Sequence, residues 1–277
     1  MRIAGQAVCI IAALALCLVL QFALLGVLLH NRDQDRSYND FRVQLANATA
    51  PVSGVDSDRK LLADGTPIAI LDIPKLGLRE VVGEGTSPEA LKSGPGHRRD
   101  TVLPGQVGAT VLLGRKAAYG GPFSDISTLS VGDEINLTTG QGKHTYRVSG
   151  VRRAGAPQPK ELAKGEGRLT LVTADGPAYF PSDVLRVDAK LMSTAVSTNG
   201  ALPAMVVRAA EQPMAMDFSQ VVPLVAWGLL LCSGVAGVVW VYHRTGRWHA
   251  WVIGVPLLTA LGLTVADQAA SLLPNLL

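Results

Sequence analysis

Three long apolar blocks punctuate the chain, and between them the pattern changes from polar to short alternating runs. Ile3–Leu29 contains no charged residue, Phe218–Tyr242 contains none, and Ala250–Ala266 is apolar apart from Thr259 and Thr264. Each meets the roughly 17 to 25 residues needed to cross a bilayer as a helix. The first block far exceeds the roughly 7 to 15 apolar residues of a signal-peptide core, and no small-x-small cleavage site follows it promptly. It is therefore expected to remain as an anchor over residues 1–30.

Residues 31–66 are polar and broken by Pro51, Gly54 and Gly65, with one short helix expected through Tyr38–Leu45, and they read as a stalk. From Pro67 to Leu191 short apolar runs alternate with glycine and proline, which favours strands. The candidates are Ile68–Ile73, Glu80–Val82, Ala109–Leu113, Glu134–Thr138, Thr145–Val151, Leu169–Thr173 and Val184–Leu191. Seven strands over about 125 residues predict one all-β barrel or sandwich. Ser87 followed by Pro88 marks the start of a helical turn, because serine caps and proline suits the first helical position. A second turn is expected after Gly121-Pro122-Phe123, and a long basic loop over residues 152–168. Residues 192–217 read as a second linker, leading to a transmembrane hairpin over residues 218–277.

Basic residues favour the cytoplasmic side of short loops. Arg2 precedes the first span, and Arg244 and Arg247 lie in the loop between the other two, so residues from about 30 to 217 are expected outside the cell. Trp240, Trp248 and Trp251 flank that loop as an interfacial belt would. Asp267 near the end of the last span fits a wet interfacial position.

Composition sharpens this picture at three points. The chain has 277 residues, 48% of them hydrophobic, and a mean hydropathy of +0.27, too apolar for an ordinary soluble domain. Of the net charge of +3, the membrane blocks and their loop carry +2, which leaves +1 outside. With no basic stripe interleaved with aromatics, nucleic-acid binding is not expected. Cys9, Cys17 and Cys232 all fall in the apolar blocks, so the exported region has no thiol nucleophile, disulfide or thiolate metal site. Neither a cofactor nor a metal is expected, since His97 and His144 are too far apart in the chain to suggest a ligand cluster.

Several stretches occur in an order that resembles the sortase family, surface transpeptidases whose signature strand reads Thr-Leu-x-Thr-Cys. They are Ile70–Leu78, Glu84-Gly85-Thr86, Gly94-Pro95-Gly96-His97, Pro104-Gly105-Gln106, Gly121-Pro122-Phe123, Gly132-Asp133 and the strand Thr170-Leu171-Val172-Thr173-Ala174. The resemblance covers residues 67–191 and implies a sortase-like closed β-barrel with short helices. Such an enzyme needs a thiolate to attack the sorting-signal carbonyl, a histidine to move protons and an arginine to steady the oxyanion.

All three positions have changed. Ala174 stands for the cysteine, and Gly114-Arg115-Lys116 stands where the resemblance places Gly-His-Arg. A guanidinium keeps its proton near neutral pH, so Arg115 cannot be a general base. The position matched to the arginine is Asp183 by ungapped count or Val184 by alignment of the strand's end. Arg186, two residues on and on the same strand face, is either a displaced arginine or an ordinary surface residue. His97 does not match the catalytic histidine and is read as structural. Ser124, Thr173 and Ser182 are the alternative nucleophiles, and each would need a nearby base.

The favoured reading is a multi-pass cell-membrane protein whose exported barrel lacks transpeptidase activity and serves binding or assembly of surface proteins. The resemblance implies a Gram-positive cell wall setting and partners among sorting-signal peptides, pilin-like surface proteins, cell-wall precursors or an active sortase. The cleft would bind through Arg115, Lys116, Asp175 and Arg186. Two alternatives stand beside this: an active sortase-type transpeptidase, and a membrane adaptor in which the C-terminal hairpin is the functional part.

Overall fold

The computed structural model describes residue 16, residues 19–198 and residues 200–277. The chain divides into two compact units, one of residues up to Gly26 with Asp217–Leu273, the other of Val27–Met216 with Pro274–Leu277. Most of the first apolar block, with Arg2, Cys9 and Cys17, lies outside the described residues.

The larger unit is built on a closed barrel of eight strands. These are β1 (Pro67–Ile73), β2 (Leu78–Glu84), β3 (Gly96–His97), β4 (Gly108–Leu113), β5 (Glu134–Thr139), β6 (Gly142–Arg152), β7 (Gly167–Asp175) and β8 (Asp183–Leu191). Their order around the barrel is β1-β2-β3-β4-β7-β8-β6-β5, closed by the antiparallel β1–β5 pair. The ladders are antiparallel except β2–β3 and β4–β7, which run parallel.

Strand alternation decides what fills the barrel. Leu185, Val187, Ala189 and Leu191 of β8 join Leu169 and Leu171 of β7, Leu71 and Ile73 of β1 and Phe123 in one buried core. Val184 of β8 and Val172 and Ala174 of β7 belong to a second cluster on the barrel's outer face. Burying each valine, leucine or isoleucine among them contributes about 1.5 to 3 kcal/mol.

Seven strands fall where the pattern predicts them. The eighth, β3, has only two residues, one of them Gly96, too short for any periodicity to show. The helical turn expected at Ser87 forms over Ala90–Lys92, with the Ala90 N–H donating to Ser87 Oγ at 3.2 Å.

Helix α1 (Gly26–Ala46) is far longer than the turn expected at Tyr38–Leu45. Tyr38, Phe41 and Leu45 recur at helical spacing, and the fully buried Phe41 packs with Ile70 and Val81. Gln34 reads the backbone of β2 directly: its Oε1 accepts from the Val81 N–H at 2.6 Å, and its Nε2 donates to the carbonyls of Val81 and Ser93. These contacts hold the segment from Val27 onward against the barrel, where the sequence pattern alone reads as a stalk.

The second unit contains α2 (Val221–Thr245) and α3 (Arg247–Ser271), joined at Gly246, whose φ of 99° suits glycine. Phe218–Arg244 and Ala250–Ser271 are long and apolar enough to cross a membrane, which points to membrane association. Gly254 permits close packing of the pair, because a Cβ there would lie 2.7 Å from the Val238 side chain. Gln21 Nε2 donates to Asp267 Oδ1 at 3.0 Å within this unit.

Candidate functional site

The degenerate positions named from the sequence come together on the barrel's outer face. In the β7–β8 ladder Ala174 lies directly opposite Val184. Both are buried in a cluster with Leu91, Leu113, Val172 and Leu276. Arg115 leaves β4 beside β7, where the Gly114 N–H donates to the Val172 carbonyl and Thr173 Oγ1 donates to the Gly114 carbonyl at 2.8 Å.

Arg115 is fully buried, not presented to solvent as a cleft cation would be. Its Nη2 donates to the Pro88 carbonyl at 2.7 Å, Nε to the Leu91 carbonyl at 3.2 Å and Nη1 to the Leu277 carbonyl at 3.4 Å. The guanidinium also lies 5.0 Å from the Tyr119 ring centroid, a cation–π distance. Carbonyl dipoles and a ring face thus stabilise a charge whose burial would otherwise be costly.

Lys116 Nζ donates to the Gly176 carbonyl at 2.6 Å, and its backbone N–H donates to the Leu276 carbonyl at 3.0 Å. Asp175 pairs with the exposed Arg153 at 3.2 Å, a solvated contact of small energetic weight. Arg186 sits two residues beyond Val184 on the same face, opposite Val172 and Arg152 in its two ladders. Arg153 and the segment around Leu276 were not singled out by sequence reasoning.

No serine or threonine candidate has an imidazole at its side among the described residues. Ser124 Oγ donates to Asp125, and Thr173 is committed to the Gly114 carbonyl. Ser182 is exposed beside Gly176. His97 is buried inside a network: Nδ1 lies 2.8 Å from Glu84 Oε2, and Nε2 lies 3.1 Å from the Val102 carbonyl and 3.0 Å from Thr101 Oγ1. His144 packs against Gly105 with neither ring nitrogen hydrogen-bonded, and burial holds its pKa below the ordinary histidine value.

A partly buried ionic network ties segments distant in sequence to the barrel. Arg99 contacts Asp64, Glu211 and, at 3.9 Å, Glu84, and Arg208 also reaches Asp64 and Glu211. Burial opposes ionisation of Asp64, but hydrogen bonds from Arg208 and Arg99 outweigh it and hold that carboxyl below the usual range.

The family model for the sortase domain matches residues 71–191. Sortase D of Bacillus subtilis is 32% identical over 84 residues, which is 30% of this chain and 41% of the relative, so the match spans under half of that protein's length. A Clostridium perfringens Sortase D5 transpeptidase superposes with a TM-score of 0.48 at 23% identity, over 58% of this chain and 99% of the other. Sortase E from Streptomyces avermitilis gives a TM-score of 0.42 at 34% identity, over 48% and 92% of the two chains. Residues 71–191, under half of the chain, form a domain of the sortase family.

Proposed function

We propose that this protein is a membrane-attached, extracytoplasmic sortase-family barrel that does not catalyse transpeptidation and instead binds surface proteins or helps assemble them. The observation that carries the reading is the closed apolar cluster of Ala174, Val184, Val172 and Leu276, at the place where a thiol nucleophile would have to stand. Arg115 beside it is committed to three carbonyls and cannot take up a proton. Losing a covalent nucleophile costs on the order of a million-fold in rate, judged from a serine protease.

The attachment reading is supported by the two long apolar helices and by connectivity. Residues on both sides of the helix pair, up to Met216 and from Pro274, belong to the barrel's unit, as an even number of crossings requires. Sortases act on sorting-signal substrates, so peptides bearing such signals, or the surface proteins that carry them, are the partner class this reading favours. The test is to offer the full chain, in lipid nanodiscs, a fluorogenic sorting-signal peptide with an amine acceptor and to look for cleaved or joined product. None is expected.

A further inference from the structure

Pro274–Leu277 is separated from the rest of its unit by the helix pair, yet it is among the most deeply buried parts of the protein. Asn275 and Leu276 are fully buried and Leu277 is 4% exposed. The segment is engaged at each of these residues by a different group. The Asn275 N–H donates to the Ala215 carbonyl at 2.9 Å, and Nδ2 donates to the carbonyls of Thr86 at 2.9 Å and Gln212 at 3.0 Å. Leu276 enters the cluster floored by Ala174 and Val184 while its carbonyl accepts the Lys116 N–H. The Leu277 carbonyl accepts from Arg115 Nη1, and the Leu277 N–H closes a turn onto the Pro274 carbonyl at 3.0 Å.

We propose that the cleft over Ala174 is a peptide site filled in cis by Pro274–Leu277, so that an incoming peptide must displace this segment. The proposal rests on reading the cleft as non-catalytic. Several features read the segment as a ligand is read: backbone groups meet backbone groups on both sides, one amide side chain is recognised by the carbonyls of Thr86, Gln212 and Ala210, and one leucine packs into an apolar cluster. Ala174 and Val184 are then the pocket's floor as well as the mark of a lost reaction, because a larger or charged residue at either would take Leu276's place. Arg115 and Lys116 act as the clamp on the segment's carbonyls.

A tethered segment presents itself at roughly millimolar effective concentration. A free peptide of the same sequence with an intrinsic dissociation constant of about 100 µM would then be weakened about tenfold by the resident segment.

The experiment uses the full chain in nanodiscs and a labelled peptide Leu-Pro-Asn-Leu-Leu, matching residues 273–277, with binding read by anisotropy. Leu276→Asp and Asn275→Ala are compared with the wild type, and tighter binding, by up to about tenfold, is expected for both variants. Equal binding to all three, or binding to none, would overturn the proposal. A second arm introduces a thiol with Ala174→Cys and follows its reaction with a membrane-impermeant maleimide, Cys9, Cys17 and Cys232 lying in the apolar blocks. Labelling should be slow, should speed up by several-fold and at most about tenfold when Asn275→Ala is added, and should slow again with excess peptide. Labelling equally fast with and without Asn275→Ala would contradict cis occupancy even if Leu276→Asp failed to fold. Cleavage of the peptide in any mixture would instead overturn the non-catalytic reading, and the thiol arm would still decide whether the segment occupies the cleft.

Discussion

Ala174 faces Val184 across the β7–β8 ladder, and both side chains belong to the buried cluster that holds Leu276. A small residue beside a β-branched one leaves an apolar hollow, and the chain fills it with its own leucine. Truncating that leucine by Leu276→Ala should cost no more than about 1.4 kcal/mol, because a segment held about tenfold over its released state lets go instead of straining the barrel. Thermal unfolding of the full chain in detergent, followed by intrinsic fluorescence, measures it.

Arg115 bonds to carbonyls of Pro88, Leu91 and Leu277 from a fully buried position. Arg115→Met keeps most of the volume but leaves those acceptors without their donor. A loss of about 3 kcal/mol is expected, since charge-assisted hydrogen bonds contribute about 1.5 to 3 kcal/mol each and partial relaxation offsets the rest. Arg115→Lys should recover only part of it, because an ammonium cannot reproduce the planar fork.

His97 and Glu84 form a buried pair at 2.8 Å, and neither belongs to the cluster around Ala174. His97→Leu leaves Glu84 Oε2 without its hydrogen-bond partner in the interior, with Arg99 still 3.9 Å from the carboxyl, so it should destabilise the barrel by about 1 to 3 kcal/mol. Peptide binding to a variant whose cleft is opened by Asn275→Ala should be unchanged by His97→Leu wherever the protein remains folded. Loss of binding without loss of stability would assign His97 a role at the site.

Two titrating groups give opposite pH limits. Tyr146 is fully buried, and burial raises its pKa from 10.0 to about 12. The unfolded chain loses this proton first as pH rises, so stability should fall between pH 10 and about 12, by up to about 3 kcal/mol. Tyr146→Phe should flatten that alkaline limb. His144 is shifted below its ordinary 6.5 by burial, so on acidification the unfolded chain takes up the proton first. Stability should therefore fall as pH drops below 6.5, by at most about 1.4 kcal/mol per pH unit, and His144→Phe should remove this dependence. Unfolding midpoints across the two pH ranges check both.

The barrel was legible because its strands repeat with period two between glycine and proline breaks, and Leu185, Val187, Ala189 and Leu191 point inward on that period. Ala174 and Val184, singled out from their places in an ordered set of motifs, meet in one buried cluster, and Arg115 lies buried nearby. The docking of α1 was hidden by its polar composition: Gln34 binds β2 through a side chain that equally suits a solvated helix. The docking of Pro274–Leu277 was hidden for a different reason. Four residues after an apolar helix carry no periodicity, and nothing in Asn275 or Leu276 announces that Thr86, Gln212 and Lys116 will meet them.

The central claim is that this sortase-family cleft binds without catalysing. The most direct measurement is single-turnover and steady-state conversion of a fluorogenic sorting-signal peptide by the full chain in nanodiscs, with an amine acceptor present and products identified by mass. The account predicts no cleavage or joining above the protein-free rate, in the wild type and in the Asn275→Ala variant whose cleft is open. Product formation that is abolished by substituting Ser124, Thr173 or another residue of the exported domain would contradict it.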